Sequence, residues 1–304
     1  MNIKKLRELR KQRLLESIKI PKYNKDVTID MPFEVPTFVK WAGGKRQLLP
    51  QLSKFLPKKV EGYFEPFIGG GAMAFYIIKK YNPERVFLSD INEELINALN
   101  IIRTKTNELM TILLQYRNSH SEKFYYQMRD KDPIKLNDIE RAARFIYLNK
   151  TGYNGLYRVN SKGKFNVPFG RYKNPSIFSE KDFREISYLL KNAHIEVKQF
   201  YEAVSNAKSS DFIYFDPPYY PLKKGKNFTK YTKGDFLDKE QEKLAEVFKD
   251  LDRRGCKVML SNSDTDFIKG LYTDYIINKV KAKRMINCDA TKRGEIDEVV
   301  ITNY

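Results

Sequence analysis

Cysteine, histidine and long apolar runs are scarce in this sequence, and each scarcity excludes a class of protein. Two cysteines, Cys256 and Cys288, cannot form a disulfide framework, so we expect two reduced thiols in a cytoplasmic protein. The only histidines, His120 and His194, are distant from both cysteines in the sequence, and we therefore expect no metal site. No apolar run approaches the ~18 residues of a membrane-spanning helix, and no signal peptide is visible, so we expect no membrane association.

Acidic residues are also in deficit. The 304 residues contain 38 Asp and Glu against 56 Lys and Arg, which gives a formal net charge of +18. This charge suits a polyanionic partner, and with a membrane disfavoured the expected polyanion is nucleic acid. The excess is concentrated in residues 1–25, 141–179 and 217–234, and the last two segments contain no acid. The sequence therefore predicts a nearly neutral domain with three basic attachments.

Strand and helix patterns alternate along most of the chain, which predicts an α/β fold. A short apolar strand begins at Gly62, and a glycine-rich loop and a helix over 73–80 follow it. A second strand over 85–90 ends in Asp90. This order is typical of a βαβ nucleotide-binding half. Further strands are predicted at 195, 212–215, 257–260 and 299–301, and further helices at 92–104 and 238–251.

The alternation divides the chain into three parts. Residues 1–35 form a basic N-terminal extension, either a solvated helix or an arm that grips nucleic acid. Residues 36–102 and 191–304 form the α/β domain. Residues 103–190 form an inserted module, mostly helical until residue 150, with a β-hairpin that turns at 161–164.

The glycine loop has the character of a ligand-binding loop. Gly69, Gly70 and Gly71 expose backbone N–H groups at the start of a helix, where a side chain would hold a ligand away. Asp90 follows at the end of the next strand, where an acid can bind ribose hydroxyls. The spacing matches neither a dinucleotide fingerprint nor a P-loop. A plain tight turn for the glycines and a helix N-cap for Asp90 remain alternatives.

The only tryptophan, Trp41, stands close to Gly43, Gly44 and Lys45. An indole next to glycines can stack on a purine, and the lysine can reach a carboxylate. A core tryptophan with a surface lysine is the alternative.

The segment Asp216-Pro217-Pro218-Tyr219 follows a continuous apolar strand. Its two prolines fix the backbone and remove two N–H donors. The result is a rigid loop at the strand end, where ligands bind in open α/β sheets. The Asp216 carboxylate and the Pro217 carbonyl can accept the two hydrogens of an amino group whose ring stacks on Tyr219. A turn without function is the alternative.

Taken in order, the motifs resemble those of the DNA adenine-N6 methyltransferases of the Dam type. The resemblance covers residues 37–304, and Asp at position 216 is similar to the adenine class rather than to the protein-glutamine methylases. The first 35 residues depart from the pattern, since the Lys-Trp segment usually lies near the N-terminus. The matching segments are FVKWAGGK (38–45), FEPFIGGG (64–71), YNGLYR (153–158), FNVPFGRY (165–172) and DPPY (216–219).

The resemblance implies a Rossmann-like methyltransferase sheet, S-adenosyl-L-methionine as cofactor and double-stranded DNA as partner. The implied reaction is site-specific methylation of adenine N6, with GATC as the target, by base flipping and direct transfer without a covalent intermediate. The implied catalytic residues are Asp216, Pro217 and Tyr219. The implied cofactor-binding residues are Trp41, Lys45, Glu65, Phe67, Gly69, Gly71, Asp90 and Asp216.

The resemblance also makes residues 103–190 the target-recognition domain. Tyr153 and Asn154 would occupy the gap left by the flipped base, Leu156 would touch a thymine methyl, and Arg158 would bind a guanine edge. Core roles for Leu156 and Tyr157 and a phosphate contact for Arg158 remain alternatives. The full set of implied DNA-binding residues is Lys40, Tyr153, Asn154, Leu156, Arg158, Asn160, Pro168, Arg171 and Tyr172.

Residues 217–234 follow the DPPY motif with five lysines and are either a mobile DNA-contacting loop or a flexible surface loop. We expect a monomer, and a cognate restriction endonuclease is a candidate partner. The alternative functions are an RNA adenine methylase and a DNA-binding protein whose cofactor site has decayed.

Overall fold

The computed structural model of the chain describes residues 34–222, 236–283 and 295–304. The predictions for nearly all of the N-terminal extension, for the five lysines after the DPPY motif and for Cys288 lie outside the described residues.

A seven-stranded sheet forms the centre of the described structure, in the order β3-β2-β1-β4-β5-β7-β6. The strands from β3 to β5 are parallel, and β7 runs antiparallel to both of its neighbours. The predicted α/β class and the predicted strands are confirmed, whereas β6 was not predicted. The strands are β1 (Gly62–Glu65), β2 (Arg85–Asp90), β3 (His194–Val197), β4 (Phe212–Phe215), β5 (Lys257–Ser263), β6 (Ile276–Lys283) and β7 (Glu295–Thr302).

Helices cover both faces of this sheet. The predicted helices over 73–80, 92–104 and 238–251 are confirmed with slightly different ends. The α-helices are α1 (Leu49–Leu52), α2 (Ala72–Tyr81), α3 (Glu93–Thr104), α4 (Thr106–Asn118), α5 (Glu122–Asp130), α6 (Asp138–Thr151), α7 (Glu180–Leu189), α8 (Phe200–Ala203), α9 (Asp238–Arg253) and α10 (Asp266–Leu271).

The central strand β4 shows why its sequence is apolar throughout. Strands in the middle of a parallel sheet are covered on both faces, and successive side chains point to opposite faces. Phe212 and Tyr214 belong to one core, with α2, α3 and the inserted helix α6, whereas Ile213 and Phe215 belong to the other, with α9. The inserted helices therefore extend one core of the α/β domain.

The predicted hairpin is present in a reduced form. Two isolated bridges, Val159↔Phe165 and Gly152↔Phe169, replace a continuous ladder. The turn is closed by Asn160, whose N–H donates to the Lys164 carbonyl at 2.8 Å. Its side-chain Oδ1 also accepts the N–H groups of Lys162 and Lys164. This side chain satisfies backbone groups that would otherwise pair across the strands.

A buried amide on α6 ties the hairpin to the segment before Trp41. Asn149 Oδ1 accepts the Lys40 N–H at 2.7 Å, and its Nδ2 donates to the carbonyls of Lys40 at 2.8 Å and Gly155 at 3.1 Å. Gly155 has a positive φ of 63°, and a Cβ there would collide with the Lys40 side chain. Asn149 thus fixes two segments that are distant in sequence.

We expect Asn149→Leu to lower the free energy of unfolding by about 3 kcal/mol, because it leaves several polar backbone groups unpaired next to an apolar side chain. Urea denaturation measures the change. The matched control is Asn118→Leu at the exposed end of α4, which should stay within about 0.5 kcal/mol of the parent protein. Equal losses in the two variants would contradict the assignment.

Candidate active site

A cleft of about 1500 Å³ opens where the carboxyl ends of β1, β2 and β4 meet. Strand order reverses between β1 and β4, and ligands of open α/β sheets bind at such a switch point. All the residues that the sequence predicts for cofactor binding and catalysis line this cleft: Trp41, Lys45, Glu65, Phe67, Gly69, Gly71, Asp90, Asp216, Pro217 and Tyr219. Their roles stay predictions, but the structure brings them together.

Asp90 is anchored at one end of the cleft by backbone donors. Its Oδ2 accepts the Gly69 N–H at 3.2 Å and its Oδ1 accepts the Asn92 N–H at 3.0 Å. Burial raises the pKa of Asp90, while these N–H groups oppose the rise. The helix N-cap is Asn92, whose Oδ1 accepts the Leu95 N–H, so the N-cap alternative for Asp90 is wrong.

The glycines of the loop are required for a reason other than the one expected. Gly69 and Gly71 have positive φ values of 47° and 74°. A Cβ at Gly69 would lie 2.8 Å from Trp41 Nε1, and one at Gly71 would lie 2.7 Å from the Phe75 ring. Backbone conformation and packing within the protein thus require these glycines, whereas the sequence argument gave ligand access as the reason and a plain tight turn as the alternative.

Lys45 is the cation at the centre of the cleft. It is only 5% exposed, so the alternative of a surface lysine is wrong. Its ammonium lies 2.7 Å from Asp216 Oδ1, donates to the Gly43 carbonyl at 2.8 Å and stands 4.6 Å from the centre of the Tyr219 ring. The contact with Asp216 is a short ion pair.

Two further carboxyl groups, those of Glu65 and Glu298, act on this ion pair. Burial raises the pKa of Asp216, Lys45 lowers it, and Glu298 raises it slightly. Glu65 is buried and accepts the Tyr63 hydroxyl at 2.6 Å; burial raises its pKa well above the ordinary range. These three carboxyl groups outnumber the single ammonium, and it is Lys45 that favours the ionised form of Asp216.

A buried polar network clamps the backbone of the DPPY loop. Gln241 on α9 donates to the Pro218 carbonyl at 3.0 Å and accepts from Asn262 Nδ2 at 3.0 Å. Asn262 Oδ1 accepts the Tyr220 N–H at 3.1 Å, and the Ser263 hydroxyl donates to the Tyr220 carbonyl at 2.6 Å. The sequence argument missed this network; its only signal is polar residues at core positions of a helix and a strand.

The Tyr219 ring is oriented by a residue of strand β7. Its hydroxyl donates to Glu298 Oε2 at 2.9 Å, and Glu298 on β7 lines the cleft. Sequence reasoning missed Glu298 as well, although an acid directly before the apolar run that begins at Val299 is a signal that could have found it.

The predicted DNA-binding residues lie mostly outside the cleft. Within the described ranges, Asn160 is the one member of that set that lines it. The others lie on the hairpin, on the segment after it and at the Asn149 amide: Lys40, Tyr153, Asn154, Leu156, Arg158, Pro168, Arg171 and Tyr172.

The hairpin residues differ in exposure. Tyr153 and Asn154 are exposed, whereas Tyr157 packs against the core, which confirms the core alternative for Tyr157. Leu156 is half-buried. The Arg158 guanidinium is exposed but held in place, since Nε donates to Asn166 Oδ1 at 2.7 Å and Nη2 to the Asn166 carbonyl at 3.3 Å.

Beyond the hairpin, the Lys40 ammonium stands 4.5 Å from the centre of the Tyr172 ring. Arg171 is exposed with a positive φ of 55°. Lys40 and Arg171 are thus two exposed cationic groups next to the hairpin.

Metal and membrane features were searched in the same described ranges. No group of three or more His, Cys, Asp or Glu side chains there could hold a metal ion. No helix of that part of the chain has the length and apolarity to span a bilayer. Cys256 is buried, and burial raises the pKa of its thiol to about 11.

Comparison with known proteins identifies the family. The pattern of the D12 class N6 adenine-specific DNA methyltransferases matches residues 41–286. Type II methyltransferase M.MjaIII of Methanocaldococcus jannaschii is 46% identical over 288 residues, covering 89% of this chain and all of the relative. Type II methyltransferase M1.LlaDCHI of Lactococcus lactis subsp. cremoris is 42% identical, covering 88% and 95%. The DNA adenine methylase of Escherichia coli K12 is 36% identical, covering 86% and 93%.

The family match includes the glycine loop, Asp90, the hairpin and the DPPY motif, and the relatives cover 86–89% of the chain. The chain therefore belongs to the D12 class of N6 adenine-specific DNA methyltransferases, enzymes that act on DNA with S-adenosylmethionine as the methyl donor.

Proposed function

We propose that this enzyme methylates adenine N6 within GATC sites of double-stranded DNA and acts on a base flipped out of the helix. The observation that carries the proposal is the clamped DPPY loop, where a carboxylate, a fixed backbone and an aromatic ring border one cleft. The GATC site rests on the resemblance of the hairpin to Dam-type enzymes and on the 36% identity to a DNA adenine methylase.

The donor set of the cleft fits S-adenosylmethionine. Asp90, anchored by Gly69 and Asn92, presents a carboxylate suited to ribose hydroxyls, and the buried Lys45 ammonium suits a carboxylate. When bound, the cofactor supplies an electrophilic methyl group on a sulfonium sulfur. The residues proposed to hold it are Trp41, Lys45, Glu65, Phe67, Gly69, Gly71, Asp90 and Asp216.

The chain's contribution to the reaction is to prepare a weak nucleophile. The lone pair of N6 is conjugated with the adenine ring, so alignment and a shift towards sp3 character are needed. The Asp216 carboxylate and the Pro217 carbonyl would accept the two N6 hydrogens, and these bonds would strengthen as positive charge develops on N6. Tyr219 would stack on the ring through the face that the Lys45 ammonium does not cover.

Residues 103–190 are proposed to form the target-recognition domain, in which the hairpin reads the site. Tyr153 and Asn154 would fill the gap left by the flipped base, Leu156 would contact a thymine methyl, and Arg158 a guanine edge. Lys40, Asn160, Pro168, Arg171 and Tyr172 are proposed as further DNA contacts.

We also propose a monomer that works in the cytoplasm, since the cleft and the hairpin belong to one chain and its substrate is DNA. The designation Type II methyltransferase carried by two relatives supports a cognate restriction endonuclease as a partner.

We expect the enzyme to protect GATC sites of a plasmid from a methylation-sensitive nuclease and to transfer labelled methyl groups to a GATC duplex. Asp216→Ala should lower the rate at least ~100-fold through loss of a charged acceptor, while duplex binding stays measurable by fluorescence anisotropy.

Label in a duplex that lacks GATC would refute the site, and label in RNA but not in DNA would favour an RNA methylase. Substantial turnover by Asp216→Ala would remove Asp216 from catalysis, and failure of the parent protein to bind cofactor in calorimetry would indicate a decayed site.

Arg158→Ala should cost ~1–3 kcal/mol of binding to GATC and relax the preference at one base pair. The measurement is the Kd for duplexes that carry each single substitution in the site. Arg171→Ala is the matched control, because a phosphate contact should weaken binding to all duplexes alike. A uniform loss in Arg158→Ala would make Arg158 a phosphate contact.

The acid limb of the pH–rate profile should report the ionisation of Asp216. Only the ionised carboxylate can both accept a hydrogen bond from N6 and stabilise the positive charge that develops there. Burial raises the pKa of Asp216 and Lys45 lowers it, so activity is lost as pH falls through this raised value. Lys45→Met should move the limb to higher pH in single-turnover measurements. The exposed Lys54→Met serves as control, and a limb that stays in place or moves to lower pH contradicts the assignment.

A further inference from the structure

The hairpin contributes one wall of the cleft through Tyr157. Its ring is stacked on Trp41 with centroids 5.8 Å apart and planes at 27°, and it contacts Phe145 at 5.3 Å and Phe165 at 5.7 Å. Trp41 in turn lies against Gly69 of the glycine loop. Two rings therefore connect the hairpin to the loop proposed to hold the cofactor.

The hydroxyl of Tyr157 makes a second connection to the same place. The Asn92 side chain lies near enough to this hydroxyl to lower its pKa. Because Asn92 Oδ1 already caps α3, its amide Nδ2 is the group that can favour the ionised phenol. The Asn92 N–H also anchors Asp90, the proposed ribose acid. Burial and the nearby Glu94 raise the pKa of Tyr157 to about 12, so the hydroxyl keeps its proton at neutral pH.

The next residue of the hairpin faces the other way. Arg158 is exposed and held by Asn166, whereas Tyr157 lines the cleft. Successive side chains of an extended segment point to opposite sides. A contact that holds Arg158 on DNA would therefore also hold the adjacent backbone of Tyr157 in place.

We propose that Tyr157 is a positioning residue that couples cofactor binding to DNA binding, an inference that rests on the proposed places of the two ligands. DNA that fixes the hairpin holds Tyr157 against Trp41 and Asn92, and so stabilises the glycine loop and Asp90 in their binding geometry. By thermodynamic reciprocity the cofactor raises DNA affinity by the same factor.

The test measures the Kd of S-adenosylhomocysteine, which has no methyl group to transfer, by calorimetry with and without a GATC duplex. In the parent protein the duplex should tighten binding by about fivefold or more. Tyr157→Leu should bring this ratio close to one, and Tyr157→Phe, which keeps the rings and loses the hydroxyl, should reduce it in part. Tyr188→Leu and Tyr188→Phe at an exposed position of α7 are the matched controls and should retain the parent ratio.

A double-mutant cycle separates coupling from a general loss of structure. Asn92→Ser keeps a helix-capping oxygen but is too short to reach Tyr157. The effects of Tyr157→Phe and Asn92→Ser on the ratio should not add, because both remove the same polar interaction. This cycle also tests the inference if Tyr157→Leu does not fold.

A parent ratio of one, or a parent-like ratio in both Tyr157→Phe and Tyr157→Leu, would overturn the inference. Asp90→Ala distinguishes this from failure of the proposed cofactor site. If Asp90→Ala binds S-adenosylhomocysteine as tightly as the parent protein, the cofactor is placed wrongly. If that variant binds at least ~10-fold more weakly while the Tyr157 variants keep the parent ratio, only the coupling is wrong.

Discussion

A carboxylate withdrawn from water at the end of β4 imposes the main constraint on this active site. The role proposed for Asp216 calls for its ionised form, the stronger acceptor, yet burial favours the protonated form. Glu65 and Glu298 add negative charge nearby, and the single Lys45 ammonium offsets it. Since both ion-pair partners are largely removed from solvent, their interaction is screened little by salt.

The same constraint explains how rigid the surroundings are. An ion pair at 2.7 Å loses much of its energy if either partner shifts, so both backbones must be fixed. Gln241 and Asn262 fix the loop of Asp216, and Lys45 begins a short 3-10 helix and donates to the Gly43 carbonyl. Gln241 and Asn262 are buried and do not line the cleft, so they support the site from outside it.

Residues whose role depends on their position relative to a strand were predictable from the sequence. Asp90 and Asp216 both follow apolar strands, and parallel strands bring their carboxyl ends to one edge, so their proximity could be inferred without coordinates. The same logic located the hairpin, because its turn chemistry is local. Its loose pairing was not predictable, since it depends on the side chain of Asn160.

Contacts between distant segments could not be predicted in this way. The partner of Lys45 is Asp216, far away in the chain, and the sequence argument assigned the lysine to a ligand instead. Gln241, Asn262 and Glu298 each occupy ordinary positions of a helix or strand, and only the packed sheet shows what they bind. Strand β6 was missed because its lysines give it the composition of a surface segment.

The opposite orientations of Tyr157 and Arg158 have a consequence for how the hairpin can change during evolution. A shift of the hairpin register by one residue would exchange the two sides, placing a guanidinium among aromatic rings and a phenol on the exposed side. Lengthening or shortening the turn by one residue is therefore far more damaging than substitution within it. The chemistry on the two sides of the strand therefore constrains the length of this turn more strongly than the identity of the residues within it.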